Sequence, residues 1–208
     1  MKEKYSDITG IILSGGSSSR MGTDKGLLKF GSKSLIERSA SLMSRIFKNI
    51  LISTNDSESY SFLSLPMVED QYKGYGPVSG IHAALVESST DKNFILSCDM
   101  PLISEEMIRY IVEHNSEKPI SVPSASGRSQ YLCGVYHKSL IDIIEKMIRD
   151  SSESEKNNGK SSVSVKQLIE NAGADIIDAE SLPFFNENIF FNMNTSQDFD
   201  FIKQKISE

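Results

Sequence analysis

Residues 8–25 read ITGIILSGGSSSRMGTDK, an apolar run that leads directly into a segment of small residues containing two cations. Ile8–Leu13 is rich in isoleucine and has the length of a buried β-strand. Ser14, Gly15 and Gly16 follow it at once, and such residues end strands and form turns. The sequence therefore predicts a strand followed by a glycine-rich loop at its carboxyl end, which is where ligands bind in open parallel sheets.

The composition of this loop is typical of a phosphate site. Small residues let the backbone approach a phosphate closely and direct its N–H groups toward the oxygens. Arg20 adds a planar guanidinium and Lys25 an ammonium, so the loop can hold a triphosphate and stabilise charge on its leaving part. The string is neither a Walker loop nor a dinucleotide fingerprint, because the spacing of its glycines and lysine differs from both. The alternative is a surface loop with two solvated cations.

Strand-like and helix-like segments alternate along most of the chain. Repeated βαβ units build a mostly parallel, doubly wound sheet with helices on both faces, so we expect a three-layer α/β protein. Asp150–Ser162 contains no apolar residue and is expected to be a loop. Strands are predicted at 8–13, 49–54, 66–69, 93–98, 120–122, 132–136 and 189–193, and helices are predicted to begin near Leu35, Pro77, Ser104, Leu140, Ser164 and Thr195.

Size and charge exclude several classes of protein. The chain has 208 residues, which fits one domain with a substantial core. Its 28 acidic and 22 basic residues give a net charge of -6, whereas proteins that live on a phosphate backbone usually carry a basic surplus. It has no apolar run long enough for a transmembrane helix, and its first residues are polar and lack the features of a signal peptide. We therefore expect a cytoplasmic protein that binds neither nucleic acid nor membrane.

A carboxylate follows the apolar run 93–98. Asp99 is thereby expected at the same sheet edge as the glycine-rich loop. A hard dication such as Mg²⁺ takes one or two carboxylates together with phosphate oxygens and water, so Asp99 is a candidate metal ligand. Asp70 ends the weaker strand 66–69 and can meet the same ligand. For both residues the alternative is a carboxylate that caps a turn, which is common after strands.

Five blocks of the sequence together resemble one enzyme family. Residues 13–25 follow the pattern Leu-x-Gly-Gly-x-x-x-Arg-Met-Gly-x-Asp-Lys, which resembles the signature of the molybdenum cofactor guanylyltransferases. The resemblance continues in the family's order through Gly76–Ile81, Cys98–Pro101, Gln130–Tyr136 and Asn192–Thr195. Tyr131 and Ser196 depart from the pattern, since the family usually has proline at both positions.

The resemblance implies a Rossmann-like nucleotidyltransferase fold and a role for each matching position. The implied nucleotide-binding residues are Leu13, Ser14, Gly15, Gly16, Lys25, Asn55 (or Ser53 on the same strand end), Asp70 and Asp99. The implied catalytic residues are Lys25, Asp99 and Arg20, with Asp99 holding Mg²⁺ and Arg20 on the pyrophosphate side. Asn192 and Asn194 are implied to lie near the acceptor, and Asn194 can also reach the metal.

The reaction that the resemblance implies joins GTP to the phosphorylated molybdopterin cofactor and gives molybdopterin guanine dinucleotide and pyrophosphate. An acceptor phosphate oxygen attacks the α-phosphorus in line, and catalysis comes from positioning and charge stabilisation with Mg²⁺ rather than from a protein nucleophile. Within a single domain 1–208, residues 1–115 would form the nucleotide-binding part and 116–208 the acceptor-binding part. Transient contact with molybdopterin-synthesis proteins or molybdoenzymes is a further expectation.

Other functions remain open from the residues alone, because base choice depends on a few hydrogen bonds that the sequence does not place. Within the same chemistry, the chain could be a CTP-dependent molybdopterin cytidylyltransferase or a sugar-phosphate nucleotidyltransferase. A GTP-binding regulatory module would bind the nucleotide without releasing pyrophosphate. A structural α/β domain would bind no nucleotide.

Overall fold

The structure is a computed structural model, and it describes residues 3–15, 24–156 and 163–207. Its strands are β1 (Tyr5–Leu13), β2 (Lys29–Phe30), β3 (Lys33–Ser34), β4 (Phe47–Ser53), β5 (Met67–Val68), β6 (Lys92–Ser97), β7 (Ile120–Ala125), β8 (Arg128–Ser129), β9 (Cys133–His137) and β10 (Asp175–Asp178). Its helices are α1 (Leu35–Ile46), α2 (Ser57–Tyr60), α3 (Pro77–Glu87), α4 (Glu105–Glu113), α5 (Leu140–Lys156), α6 (Val165–Ala172) and α7 (Ser196–Ser207).

One large sheet forms the middle of the molecule, in the strand order β10-β7-β9-β6-β1-β4-β5, with β8 paired to β7. β1 runs parallel to both neighbours, β4 and β6. The pairs β4–β5 and β7–β10 are also parallel, whereas β9 is antiparallel to both β6 and β7. The small pair β2–β3 forms a separate hairpin. The predicted α/β fold is therefore confirmed, with β9 and the short β8 antiparallel to their neighbours.

β1 lies between two apolar layers, and the alternation of its side chains explains why. Ile8 and Ile12 pack in a cluster with residues of α1 and α4, such as Met43 and Ile108. Ile11 and Leu13 belong to a second cluster, with residues of α3, α5 and α6. Because successive side chains of a strand point to opposite faces, an apolar run such as Ile8–Leu13 is buried only when both faces of the sheet are covered. The three-layer prediction is confirmed.

Local capping signals fix several helix ends. The Ser104 side chain accepts a hydrogen bond from the Met107 N–H at the start of α4. Ser164 and Gln167 form the predicted capping box of α6. Each contact satisfies an N–H group that would otherwise lack a partner in the first helical turn. Gly173 ends α6 with φ +77°, a conformation that favours glycine.

The strand predicted at Ile189–Met193 is wrong. Ile189, Phe190 and Met193 are buried, but this segment forms turns and irregular backbone instead of a strand. Its N–H groups bond locally or to the tip of the sheet: Met193 N–H donates to the Asp99 carbonyl at 2.9 Å. Tertiary contacts thus override the strand propensity of an apolar run. The edge position of the sheet is filled instead by β10, which the sequence reading missed.

The loop predicted at Asp150–Ser162 is also wrong over its first part, because α5 continues to Lys156. The apolar residues Leu140, Ile144 and Ile148 bury one face of α5, and the polar residues that follow extend the same helix. Serine, glutamate and lysine are all tolerated within a helix, so a lack of apolar residues did not predict its end. Residues 157–162 lie outside the described part of the chain.

No helix within the described ranges combines the length and the apolar composition needed to cross a membrane.

Candidate active site

Three strand tips meet at one edge of the sheet. Leu13, the last residue of β1, pairs with Ser53 of β4 on one side and with Ser97 of β6 on the other. The backbone pairing continues past the strands: Ser14 N–H donates to the Ser53 carbonyl at 2.9 Å, and Cys98 N–H donates to the Leu13 carbonyl at 3.0 Å. The chain therefore leaves β1 and β6 side by side, with Asp99 following directly on the second tip.

Lys25 lies in a tight turn that a neighbouring carboxylate holds. The Asp24 side chain accepts a hydrogen bond from the Gly26 N–H at 2.8 Å and so caps the 3₁₀ turn Lys25–Leu27. The Lys25 ammonium donates to the Met193 carbonyl at 3.2 Å and to Asn194 Oδ1 at 3.3 Å. The structure thus brings Lys25 and Asn194 into contact. The family resemblance implied that Lys25 binds the nucleotide and that Asn194 lies near the acceptor.

Asp99 has one buried carboxylate oxygen without a partner. Oδ1 is inaccessible to solvent and makes no hydrogen bond within the described residues. Burial raises the pKa of Asp99 above its usual range, and a hydrogen bond from the Ser97 side chain and the nearby charge of Lys25 offset only part of that effect. A buried, unpaired carboxylate oxygen is costly unless a cation or a donor meets it.

This carboxylate suits Mg²⁺, which takes one or two protein carboxylates and fills its remaining positions with phosphate oxygens and water. In the part of the chain that the structure describes, no group of three or more histidine, cysteine, aspartate or glutamate side chains could hold a metal alone. Asp99 therefore fits a metal ion that is coordinated mainly by substrate phosphates and water, with the protein supplying one carboxylate. This fit supports the expected metal role, which stays a prediction.

Asn55 and Asp70 form a reciprocal pair beside the same edge. Asn55 Nδ2 donates to Asp70 Oδ2 at 2.7 Å, and Asp70 N–H donates to Asn55 Oδ1 at 2.9 Å. The absent side chain of Gly80 leaves room here, since a Cβ at that position would lie 2.8 Å from Ser53 Oγ and 3.6 Å from Asp70 Oδ1. The two predicted nucleotide-binding residues therefore lie together and fix each other's orientation.

The two predicted acceptor residues differ in their surroundings. Asn192 is half-buried, and its amide donates to the Phe190 carbonyl at 3.0 Å. Asn194 is exposed, and its backbone N–H donates to Asp198 Oδ2 at 2.8 Å. Burial would raise the pKa of Asp198, but this bond and one from the Thr195 N–H outweigh it and hold the pKa below its usual range. Asp198 thus anchors the backbone that presents Asn194.

Two predicted site residues, Gly16 and Arg20, lie outside the described residues. The sequence reading also missed a residue at this edge: Tyr60 of α2, whose hydroxyl bonds to Ser14 and Asp24. Tyr60 comes 36 residues after Asp24 in the sequence, so no local pattern connects the two.

The chain is a nucleotidyltransferase with a Rossmann-like sheet, and the edge that gathers Leu13, Lys25 and Asp99 is its candidate site. It belongs to the family of the MobA-like NTP transferase domain, whose model matches residues 10–164. A protein of Carboxydothermus hydrogenoformans named "probable molybdenum cofactor guanylyltransferase" is 32% identical over 198 residues, which cover 93% of this chain and 94% of that protein. A protein of the same name from Pelotomaculum thermopropionicum is 40% identical over 141 residues, covering 68% and 69%.

Solved structures agree on the fold. A protein of Aquifex aeolicus has a TM-score of 0.73 and 30% identity, covering 90% of this chain and 94% of its own. The molybdopterin-guanine dinucleotide biosynthesis protein A of Archaeoglobus fulgidus has a TM-score of 0.78 and 22% identity, covering 96% and 98%. At that identity the second likeness shows a shared fold alone.

Proposed function

We propose that the chain transfers GMP from GTP to the phosphorylated molybdopterin cofactor, giving molybdopterin guanine dinucleotide and releasing pyrophosphate. The observation that carries the proposal is the contact of Lys25 with Met193 and Asn194 while the Met193 N–H bonds to the Asp99 backbone. The predicted phosphate, metal and acceptor residues therefore share one edge of the sheet. The names of the relatives support guanine as the base and molybdopterin as the acceptor.

The nucleotide half of the site is proposed on residues 1–115. Backbone groups of Leu13, Ser14 and Gly15, together with Gly16, would approach the nucleotide. Because the Ser14 N–H already bonds to the Ser53 carbonyl, the N–H groups that bind phosphate would come from Gly15 and Gly16. The Asn55–Asp70 pair would lie at the base or ribose, as a preformed donor and acceptor surface.

The acceptor half is proposed on residues 116–208, where Asn192 and Asn194 would contact the cofactor. Both side chains carry an amide that donates and accepts, which suits a polar pterin. Asn194 Oδ1 accepts a hydrogen bond from the Lys25 ammonium, so the residue proposed to bind the acceptor substrate already contacts the residue proposed to bind phosphate. Transient contact with molybdopterin-synthesis proteins or molybdoenzymes, which would supply or receive the cofactor, remains part of the proposal.

Asp99 would hold Mg²⁺ through its buried Oδ1. When bound, the ion polarises the α-phosphate and lowers the repulsion between the two anionic reactants. Asp99 would present its carboxylate to the ion at the tip of β6, where burial makes an uncompensated carboxylate unfavourable and a cation correspondingly favourable.

The chemistry is a single displacement at the α-phosphorus. A phosphate oxygen of the acceptor forms the new P–O bond, and the bond from the α-phosphorus to the oxygen that bridges it to the β-phosphate breaks, so that the electron pair leaves with pyrophosphate. Lys25 would stabilise the charge that develops on the leaving group, with Arg20 as the second cation. Such a reaction needs alignment and charge stabilisation and no covalent protein intermediate.

The test is the release of pyrophosphate by the wild-type chain with Mg²⁺ and GTP, CTP or UTP, in the presence and absence of molybdopterin. The proposal predicts release only with GTP and only with molybdopterin, in equal amounts with the guanine dinucleotide. A preference for CTP would make the chain a cytidylyltransferase, and release with a sugar phosphate instead would make it a sugar-phosphate enzyme. GTP binding without release would indicate a regulatory module, and absence of nucleotide binding would indicate a structural domain.

A further inference from the structure

The Tyr60 hydroxyl lies between Ser14 and Asp24, the two residues that flank positions 15–23 of the glycine-rich loop. Its side chain is fully buried at the end of α2, the short helix that follows β4. The hydroxyl donates to Asp24 Oδ2 at 2.6 Å and accepts from Ser14 Oγ at 2.8 Å. Ser14 and Asp24 are the residues on either side of the stretch 15–23, so one hydroxyl joins the two ends of the loop.

The contact also reaches the residue after Lys25. A Cβ on Gly26 would lie 2.4 Å from the Tyr60 hydroxyl oxygen and 3.0 Å from Ser14 Oγ, so the Gly26 backbone lies directly against this pair. Asp24 itself bonds to the Gly26 N–H through its other oxygen. Asp24, before Lys25, is therefore bonded to the Tyr60 hydroxyl, and Gly26, after Lys25, packs against it.

The phenol is suited to act as a permanent donor. Burial raises the pKa of Tyr60, and the hydrogen bond to Asp24 raises it further, so the proton stays on the hydroxyl throughout the range in which enzymes work. A hydrogen bond to a charged carboxylate is stronger than one between neutral groups. The hydroxyl is therefore a stable hydrogen-bond donor to Asp24.

We infer that Tyr60 is a positioning residue, whose hydroxyl clasps Ser14 and Asp24 and thereby fixes the turn that presents the Lys25 ammonium to the nucleotide phosphates. This inference rests on the proposed function, because it assumes that Lys25 binds phosphate. Lysine is a long, flexible side chain, so the precision of its ammonium depends on the backbone beneath it. Small displacements of a catalytic charge are costly to rate even when no contact to the substrate is lost.

The test is Tyr60→Phe, which keeps the buried ring and removes only the hydroxyl. We expect kcat/KM for GTP to fall about tenfold, with a smaller rise in KM for the acceptor, because the displaced Lys25 ammonium also contacts Asn194. The matched control is Tyr5→Phe, which removes a hydroxyl bonded to Glu113 at the opposite end of β1 and should leave kcat/KM unchanged.

A double-mutant cycle with Lys25→Ala separates positioning from general stability. If Tyr60 acts through Lys25, adding Tyr60→Phe to Lys25→Ala should change kcat/KM by less than about twofold, because the group being positioned is gone. Equal losses in both backgrounds, or wild-type kcat/KM for Tyr60→Phe alone, would overturn the inference. Should Tyr60→Phe fail to fold, Asp24→Asn tests the same link, since it keeps the oxygen that caps Gly26 and replaces the acceptor of the phenol.

Failure of the proposed function would look different. In that case the wild-type chain would release no pyrophosphate with GTP and molybdopterin. Calorimetric titration with Mg²⁺ and GTP then tests the positioning role of Tyr60 without measuring transfer. Tyr60→Phe should weaken GTP binding in the wild-type background. It should leave GTP binding unchanged in the Lys25→Ala background. Identical GTP affinity of the wild-type chain and of Tyr60→Phe would contradict the positioning role of Tyr60.

Discussion

The two proposed halves of the site, on residues 1–115 and on residues 116–208, are built in different ways. In the first region, the sheet itself positions Leu13, which ends β1 and is paired on both sides, and Asp99, which follows the tip of β6. In the second region, Asn194 lies on irregular backbone, bonded to Asp198 within that region and to Lys25 of the first region. The candidate acceptor side is therefore partly positioned by the candidate nucleotide side.

This difference has a chemical consequence. The Lys25 ammonium contacts Met193 and Asn194, and under the proposed function it would also bind the nucleotide phosphates. A change at Lys25 should thus affect both substrates, whereas a change confined to the second region should affect the acceptor alone. Substitutions in either region therefore test that asymmetry.

Asp99→Asn should lower the rate of transfer by about a hundredfold to a thousandfold, since it removes the charge that would hold Mg²⁺ while keeping the shape of the side chain. The measurement is pyrophosphate release over a range of Mg²⁺ concentrations, with circular dichroism to verify folding. Turnover at the wild-type rate by a folded Asp99→Asn protein would refute the metal role.

Lys25→Ala should reduce kcat/KM for GTP at least about tenfold, equivalent to ~1.4 kcal/mol of transition-state stabilisation. It should also raise KM for the acceptor, because Asn194 loses a bonded neighbour. Lys29→Ala is the matched control, as Lys29 is an exposed lysine on β2, a strand outside the proposed site. If steady-state kinetics give the same kcat/KM for both variants, Lys25 has no phosphate role.

Asp198→Ala should raise KM for the acceptor several-fold and leave KM for GTP unchanged. It removes the acceptor of the Asn194 and Thr195 N–H groups, and the loss of such a cap costs about 1 kcal/mol of stability. Asp200→Ala provides the control, since Asp200 is exposed on the same helix. An equal rise in both KM values would mean that the two regions are not separable in this way.

The stability of the metal-free protein should depend on Asp99 in a pH-dependent manner. Because its pKa is raised in the folded state, the folded chain binds more protons here than the unfolded chain between the ordinary value of 3.8 and the folded value. Wild-type stability is thus lost as pH rises through that window, whereas Asp99→Asn has no such loss.

The corresponding measurement is thermal unfolding of both proteins without metal. The Tm of Asp99→Asn should exceed that of the wild type at neutral pH, and the gap should shrink as pH falls toward the ordinary value of 3.8. A gap that is independent of pH, or one of opposite sign, would show that Asp99 is not penalised by burial.

The same two regions explain what could be predicted from sequence. Ile8–Leu13 and the run that ends at Cys98 are continuous apolar stretches, which a buried parallel strand requires, and the Ser104 and Ser164 caps act within one helical turn. Such signals are local, so the α/β fold and the common edge of Leu13 and Asp99 follow from the sequence.

The rest depends on contacts between distant residues. Ile189–Met193 has the composition of a strand, but Met193 bonds to Asp99, and the segment pairs with no strand among the described residues. Tyr60 meets Ser14 across 46 residues, and no spacing in the sequence connects them. Likewise, the polar end of α5 gave no apolar pattern from which its helical form could be predicted.

The most direct measurement is a crystal structure with Mg²⁺ and a GTP analogue that cannot be cleaved between the α- and β-phosphates. We predict the ion against Asp99 Oδ1, the β- and γ-phosphates within hydrogen-bonding distance of the Lys25 ammonium, and the base beside the Asn55–Asp70 pair. A nucleotide bound away from the tips of β1 and β6, or an ion bound without Asp99, would contradict the account.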